Sequence, residues 1–246
     1  MSNPLVRKLE CYTRLSEADR LCLIDAVGPG RMVAARTDII HEGDDPRTVN
    51  VILDGWACRY RQFINGRRQI VSFLLPGDPC DPHIFLLDDM DHTIGAITPV
   101  LLGQISGPAL QAMTARSPQL ELAFHREALA TAAVQREWTI SLGSRTGIER
   151  LAHLFCELHA RLAAIGLTEG NTCPMPITQN DLGDAMGQTS VHINRTLQEL
   201  RGMGLITLRS RRLTIHDPAA LARLGHFDSA YLHITEQVGR AVAQHA

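Results

Sequence analysis

Residues able to read a DNA base edge are concentrated in one stretch, Thr178–Arg201, with the sequence TQNDLGDAMGQTSVHINRTLQELR. Ser190, Val191, Asn194, Arg195 and Gln198 recur at the spacing of one helix face. Their chemistry suits a major groove: Arg pairs with guanine, Asn or Gln with adenine, and an exposed Val meets a thymine methyl. A second group suits phosphates. It comprises Thr178, Thr189 and His192 near the helix starts, and Arg209, Arg211 and Arg212 further on. Between Ala185 and His216 there are five Arg and one acidic residue, Glu199, whereas the whole chain carries a net charge of −2. Positive charge is therefore placed at this stretch rather than spread along the chain.

Two short helices must position these side chains. Thr178 and Asp181 form a capping pair for the first, and Thr189 caps the second. Gly187 supplies the left-handed turn between them, and Gly183 permits close approach. Leu182, Ala185 and Met186 make one apolar stripe, and Ile193, Leu197 and Leu200 the other. After Gly202-Met203-Gly204, two short β runs, LITL and LTI, flank the basic turn Arg209–Arg212. The whole reads as a winged helix-turn-helix. A plain helical hairpin is the competing reading of the helices alone.

Upstream the periodicity changes. Ser16–Ala26 reads as a short helix. From residue 31 to about 105, short apolar runs alternate with Gly, Pro, Asp and Asn, as in a small antiparallel β-barrel of jelly-roll type. Asn65-Gly66 predicts a two-residue hairpin turn. Pro118 opens a long helix to about Leu142, and Gly143-Ser144 predict a hinge. Leu120, Phe124, Thr131, Val134 and Trp138 follow alternating 4 and 3 spacing, with the polar Glu127 and Ser141 in the same register, and are expected to form a dimer seam; an amphipathic helix lying on its own barrel is the alternative. A further helix is predicted over 145–165. The expected class is α+β. Residues 1–116 form a sensor barrel, 117–143 the dimer helix and hinge, 144–225 the DNA reader, and 226–246 a helical tail.

The six cysteines (11, 22, 58, 80, 156, 173) form no CxxC pair, which predicts reduced thiols. No apolar run approaches the ~20 residues needed to span a bilayer, and the first ten residues carry no secretory pattern, so a cytoplasmic protein is expected. Cys80, His83 and His92 share one segment, where Asp81 could add an oxygen ligand. A polar surface loop is preferred there to a metal site, because ligand spacing alone does not make four groups converge. No cofactor is expected. A cupin-like metalloenzyme joined to a DNA-binding module is the alternative. It wants paired His at close spacing with a downstream Glu, which His83 and His92 do not supply, and neither a phosphate-binding Gly loop nor a nucleophile elbow is present. An architectural DNA protein is the third reading, and the base-reading face argues against it.

A barrel, a long helix and a winged helix-turn-helix in this order resemble the Crp/Fnr family of bacterial transcription regulators. The resemblance rests on Leu53–Asp78, Ser144–Leu158 and the reader itself. It implies a homodimer on a two-fold symmetric double-stranded DNA site, action through RNA polymerase, and control by a signal in the barrel. Three features depart from it. Cyclic-AMP-binding members carry a Gly-Glu pair and a nearby Arg, whereas Pro76–Ile97 here has neither, and no Arg or Lys occurs between Arg68 and Arg116. A cyclic phosphate there would face Asp78, Asp81, Asp88, Asp89 and Asp91 with no local cation, so control by cyclic nucleotide is not expected. Only Cys11 and Cys22 lie near the N-terminus, so an iron–sulfur cluster of the family's type is not expected either. In the reader, the family's usual Glu and Arg contacts fall on Val191 and Ser190, and Arg195 alone is retained. A different DNA sequence should therefore be read.

Overall fold

The structure, a computed structural model, describes residues 3–234. The chain divides into two compact units, Met1–Thr131 and Ala132–Ala246.

The first unit opens with two helices, α1 (Pro4–Glu10) and α2 (Glu17–Val27). Ser16 and Asp19 cap α2 reciprocally, as the Ser–Glu–Ala–Asp sequence at its start dictates. Eight strands follow: β1 (Arg31–Val33), β2 (Asp38–Ile40), β3 (Thr48–Asp54), β4 (Ala57–Gln62), β5 (Arg68–Leu74), β6 (Pro79–Cys80), β7 (Thr93–Ala96) and β8 (Val100–Ser106). They do not close into the expected barrel. They form two four-stranded antiparallel sheets, ordered β1-β8-β3-β6 and β2-β7-β4-β5. Ile52, Ala57, Leu74, Ile94 and Leu102 fill one core of this unit. Helix α3 (Gly107–Arg116) and the start of α4 (Pro118–Ser144) come next. Val49, Val51 and Ile105 of the first sheet pack in a second core with Leu5, Leu9, Leu23, Leu110, Leu120 and Phe124 from the helices. Strand β3 is thus buried from Val49 to Leu53 without alternation, because it has hydrophobic neighbours on both faces.

Four expectations are corrected here. Helices α1 and α3 have no strong periodic signal and are additions to the elements expected. The Asn65-Gly66 turn is not a two-residue hairpin. The loop runs from Phe63, whose N–H donates to the Arg67 carbonyl (2.8 Å), while the Asn65 carboxamide accepts from the Arg67 N–H (3.1 Å). Helix α4 does not break at Gly143 but continues to Ser144, and the turn falls at Arg145–Thr146. Finally, Leu120, Phe124, Val134 and Trp138 are buried within their own chain and Thr131 is half-buried, so this register faces inward rather than a partner. The exposed apolar residues of α4 are Leu122, Leu129, Ile140 and Leu142.

The second unit contains the rest of α4, then α5 (Gly147–Ala164), β9 (Thr172–Pro174), α6 (Gln179–Met186), α7 (Ser190–Gly202), β10 (Ile206–Arg209), β11 (Arg212–Ile215) and α8 (Pro218–Gly225). Leu151, Leu154, Phe155, Leu158 and Leu162 bury the expected face of α5. The wing is a three-stranded sheet, β10-β11-β9. Its third strand, Thr172–Pro174, lies in a stretch whose Gly, Pro and Asn content reads as loop. Of the expected tail 226–246, the described part holds a 3-10 turn at Ser229–Leu232. The remainder, 235–246, lies outside the described residues.

Candidate nucleic-acid interface

The reader is built as its residue types require. The Thr178 hydroxyl accepts from the Asp181 N–H (3.2 Å), and the Asp181 carboxylate accepts from the Thr178 N–H (3.0 Å), closing the start of α6. Gly187 takes φ +65° and ends α6. A Cβ on Gly183 would lie 2.6 Å from the Gln188 carbonyl oxygen, so only glycine lets α6 and α7 approach this closely. Leu182, Ala185, Met186, Ile193, Leu197 and Leu200 are all buried.

On α7 the outward face is intact. Ser190, Val191, His192, Asn194, Arg195 and Gln198 are exposed, Val191 to 74%. Asn194 donates to the Gln179 carboxamide (3.2 Å), which orients it. The Thr189 hydroxyl accepts from the His192 N–H (3.3 Å), a bond that does not use its own proton. Thr178 differs: its hydroxyl donates to Asp181 (2.7 Å), and one hydroxyl has one proton, so a phosphate there would have to displace that bond.

Arg209 and Arg211 are exposed at the wing tip, where a two-residue turn, Ser210 (φ +50°) and Arg211 (φ +59°), both left-handed, joins Arg209 to Arg212. That is the twist a tight hairpin demands, here met without glycine. Arg212 is exposed too, but it pairs with Glu169 (2.8 Å). Both partners face solvent, so a phosphate can compete for the guanidinium.

Arg150, not singled out in the sequence, organises the joint behind the reader. Its guanidinium donates to the carbonyls of Ser141 (3.1 Å), Leu142 (3.0 Å), Arg145 (3.0 Å) and Met186 (2.6 Å). One cation thus caps the C-terminal ends of α4 and α6 together. No local motif announces such a residue, because its acceptors are carbonyls of the preceding helix end and turn together with Met186, 36 positions on.

In the first unit, the acidic segment 76–97 is not without cations. Lys8 reaches Asp78 (2.8 Å) from α1, and Arg59 reaches Asp81 (2.9 Å) from β4. Asp81, at φ +53°, also lies 3.2 Å from His92. Burial would raise the Asp81 carboxyl, yet Arg59 and His92 bring it down to about 2. Burial would lower His92, and Asp81 and Asp91 more than offset this. Cys80, His83 and His92, the alternative weighed against a surface loop, do not share partners. His92 serves Asp81 and Asp91, the His83 ring sits 5.5 Å from that of His125, and Cys80 is buried. Burial is also the main reason the Cys80 thiol is pushed up, ahead of its acidic neighbours. Among the described residues no three His, Cys, Asp or Glu converge as metal ligands, and no helix is long and apolar enough to cross a membrane.

Residues 149–224 match the Crp-like helix-turn-helix domain, and residues 31–117 match the cyclic nucleotide-binding domain. The chain is 26% identical over 206 residues to the transcriptional activator protein FnrL of Cereibacter sphaeroides, covering 81% of each. It is 28% identical over 191 residues to the nitrogen fixation regulation protein FixK of Bradyrhizobium diazoefficiens, covering 76% of this chain and 77% of that one. In fold it is similar to FixK2 from Bradyrhizobium japonicum, with a TM-score of 0.70 at 21% identity, over 79% of this chain and 95% of that one. A CRP-family transcriptional regulator from Thermus thermophilus gives a TM-score of 0.60 at 20% identity, over 80% of this chain and 97% of that one. The cyclic-nucleotide-binding-type domain, the long helix and the winged helix-turn-helix occur in the family's order, and the chain belongs to the Crp/Fnr family of DNA-binding transcription regulators.

Proposed function

We propose that this regulator is no enzyme and binds, as a homodimer, a two-fold symmetric promoter site and acts there on RNA polymerase. Residues 1–116 serve as the sensor, 117–143 as the dimer helix and 144–225 as the reader. The observation that carries the reading is the outward face of α7: Ser190, Val191, Asn194 and Arg195 are exposed together on a helix whose opposite face is fully buried. Thr189, His192, Arg209, Arg211 and Arg212 hold the backbone, and the exposed Leu122, Leu129 and Ile140 supply the seam. Arg195→Ala should cost about 1–3 kcal/mol on the specific site and relax preference at one base pair per half-site. Equal loss on specific and random duplexes, measured by competition binding, would reduce Arg195 to a phosphate contact.

Cyclic nucleotide does not control it. The buried cation of the sensor, Arg59, is already held by the half-buried carboxylate of Asp81, so an incoming phosphate would have to displace an internal ligand and strip Asp81 of its guanidinium partner. Calorimetry with cyclic AMP and cyclic GMP should show no saturable binding in the micromolar range. Saturation there would mean that the Asp81–Arg59 pair opens.

A further inference from the structure

Behind the reader, a buried polar network ties three parts of the second unit together. Its centre is Glu157 of α5, fully buried. Trp138, near the end of α4, donates its indole N–H to Glu157 (3.1 Å to Oε2). The Tyr231 hydroxyl donates to the same oxygen (2.9 Å), and Arg161 donates to Oε1 (3.2 Å). His153, one turn before Glu157, stacks on the Tyr231 ring at 14° with 5.8 Å between centroids. Its Nδ1 lies 3.1 Å from the Gly225 carbonyl, which can only accept, so that nitrogen carries the proton. Arg145, at the turn after α4, donates to the Gly225 carbonyl (3.1 Å) and to Glu137 (2.6 Å). A Cβ on Gly225 would lie 2.5 Å from the His153 backbone nitrogen, so α8 ends directly on α5.

Two points give this network a role beyond packing. A buried carboxylate is expensive unless every partner is in place, so the Glu157 set has one low-energy arrangement and resists small rotations. Its C-terminal members, Gly225 and Tyr231, also lie past residue 224, where the match to the Crp-like reader ends. We infer that the segment from Gly225 to Tyr231 is a clasp that fixes the end of α4 against the reader, with Tyr231 and Glu157 as positioning residues for a two-half-site DNA target. The inference rests on the homodimer proposed above. If α4 pairs the protomers, its angle to α5 sets how far apart and at what rotation the two copies of α7 stand.

Binding to half-sites and to full sites of altered spacing tests this with the full-length protein. Inserting one base pair at the centre turns one half-site by about 34–36° relative to the other. The native protein should lose about tenfold or more in affinity on that insertion, because the second half-site is then misaligned for intramolecular engagement. In Tyr231→Ala the clasp loses its hydroxyl and its stacked ring. The insertion penalty should fall at least threefold, roughly, while affinity for an isolated half-site stays within about twofold. Tyr231→Phe keeps the ring and should lie between the two, which keeps the test decisive if the Ala variant unfolds on melting. An insertion penalty unchanged in both variants overturns the clasp, and so does an equal loss on half-sites and full sites, which would mark Tyr231 as serving the reader's fold alone. If the native protein itself binds a full site no more tightly than a half-site, the dimer reading fails and the clasp with it.

Discussion

At the scale of single residues, the sequence discloses what is local and hides what is distant. The Thr178–Asp181 and Ser16–Asp19 caps are legible because donor and acceptor sit three residues apart. The pairs Lys8–Asp78 and Arg59–Asp81 are not, since 70 and 22 positions separate partners that only the folded sheets bring together. Glu127 is the sharpest case. It occupies the register expected for the seam, yet it is fully buried, with Oε1 accepting from Thr131 (2.9 Å) and Oε2 in no hydrogen bond. Burial pushes its carboxyl up to about 7, against the pull of Lys8. A folded-state value above the unfolded one, about 4.3, adds stability below that pH, and the gain is lost as pH rises through 7. Ionising Glu127 should therefore cost on the order of 3 kcal/mol by pH 8. Glu127→Gln should remove this dependence, so that denaturant midpoints at pH 5 and pH 8 converge relative to the native protein. An unchanged pH slope would show that Glu127 is ionised throughout.

Elements are legible where period and punctuation agree. Helices α6 and α7 have both a stripe and caps, and they appear as read. Helix α4 has two candidate stripes, and from sequence the register containing Phe124 and Trp138 reads as the seam. Those two aromatics carry the most buried area on the helix, and intrachain packing claims them. The other stripe, Leu122, Leu129 and Ile140, is left outside at spacings of seven and eleven residues, which keeps one helix face. Leu129 is 65% exposed. Leu129→Glu should weaken self-association about tenfold or more in sedimentation equilibrium, by placing like charges together on a two-fold axis, and leave the thermal melt nearly unchanged. Self-association equal to that of the native protein would move the seam elsewhere. The strand β9 and the helices α1 and α3 are illegible for the opposite reason: three to ten residues without a clear period carry too little signal.

For the whole molecule, the relevant quantity is where charge and strain are placed. The chain is mildly acidic at −2, yet the reader and wing are basic, so the rest repels a duplex while this region attracts it. The tip proposed to meet the phosphates also holds Ser210 and Arg211 left-handed, at an intrinsic cost of about 1–2 kcal/mol per residue. Asn-Gly would adopt the same turn with little strain. The wing thus sets durability against grip: replacing both residues, Ser210→Asn with Arg211→Gly, should raise the melting temperature by several degrees, since each ~1 kcal/mol is worth roughly 2–8 °C in domains of this size. The same change should weaken binding to every duplex alike and lower the salt slope by about 0.9, the loss of one phosphate contact. A stabilised wing with an undiminished salt slope would mean that Arg211 is strained for some reason other than DNA. Selection for heat resistance alone should accordingly erode this turn first, and with it the protein's hold on its operator.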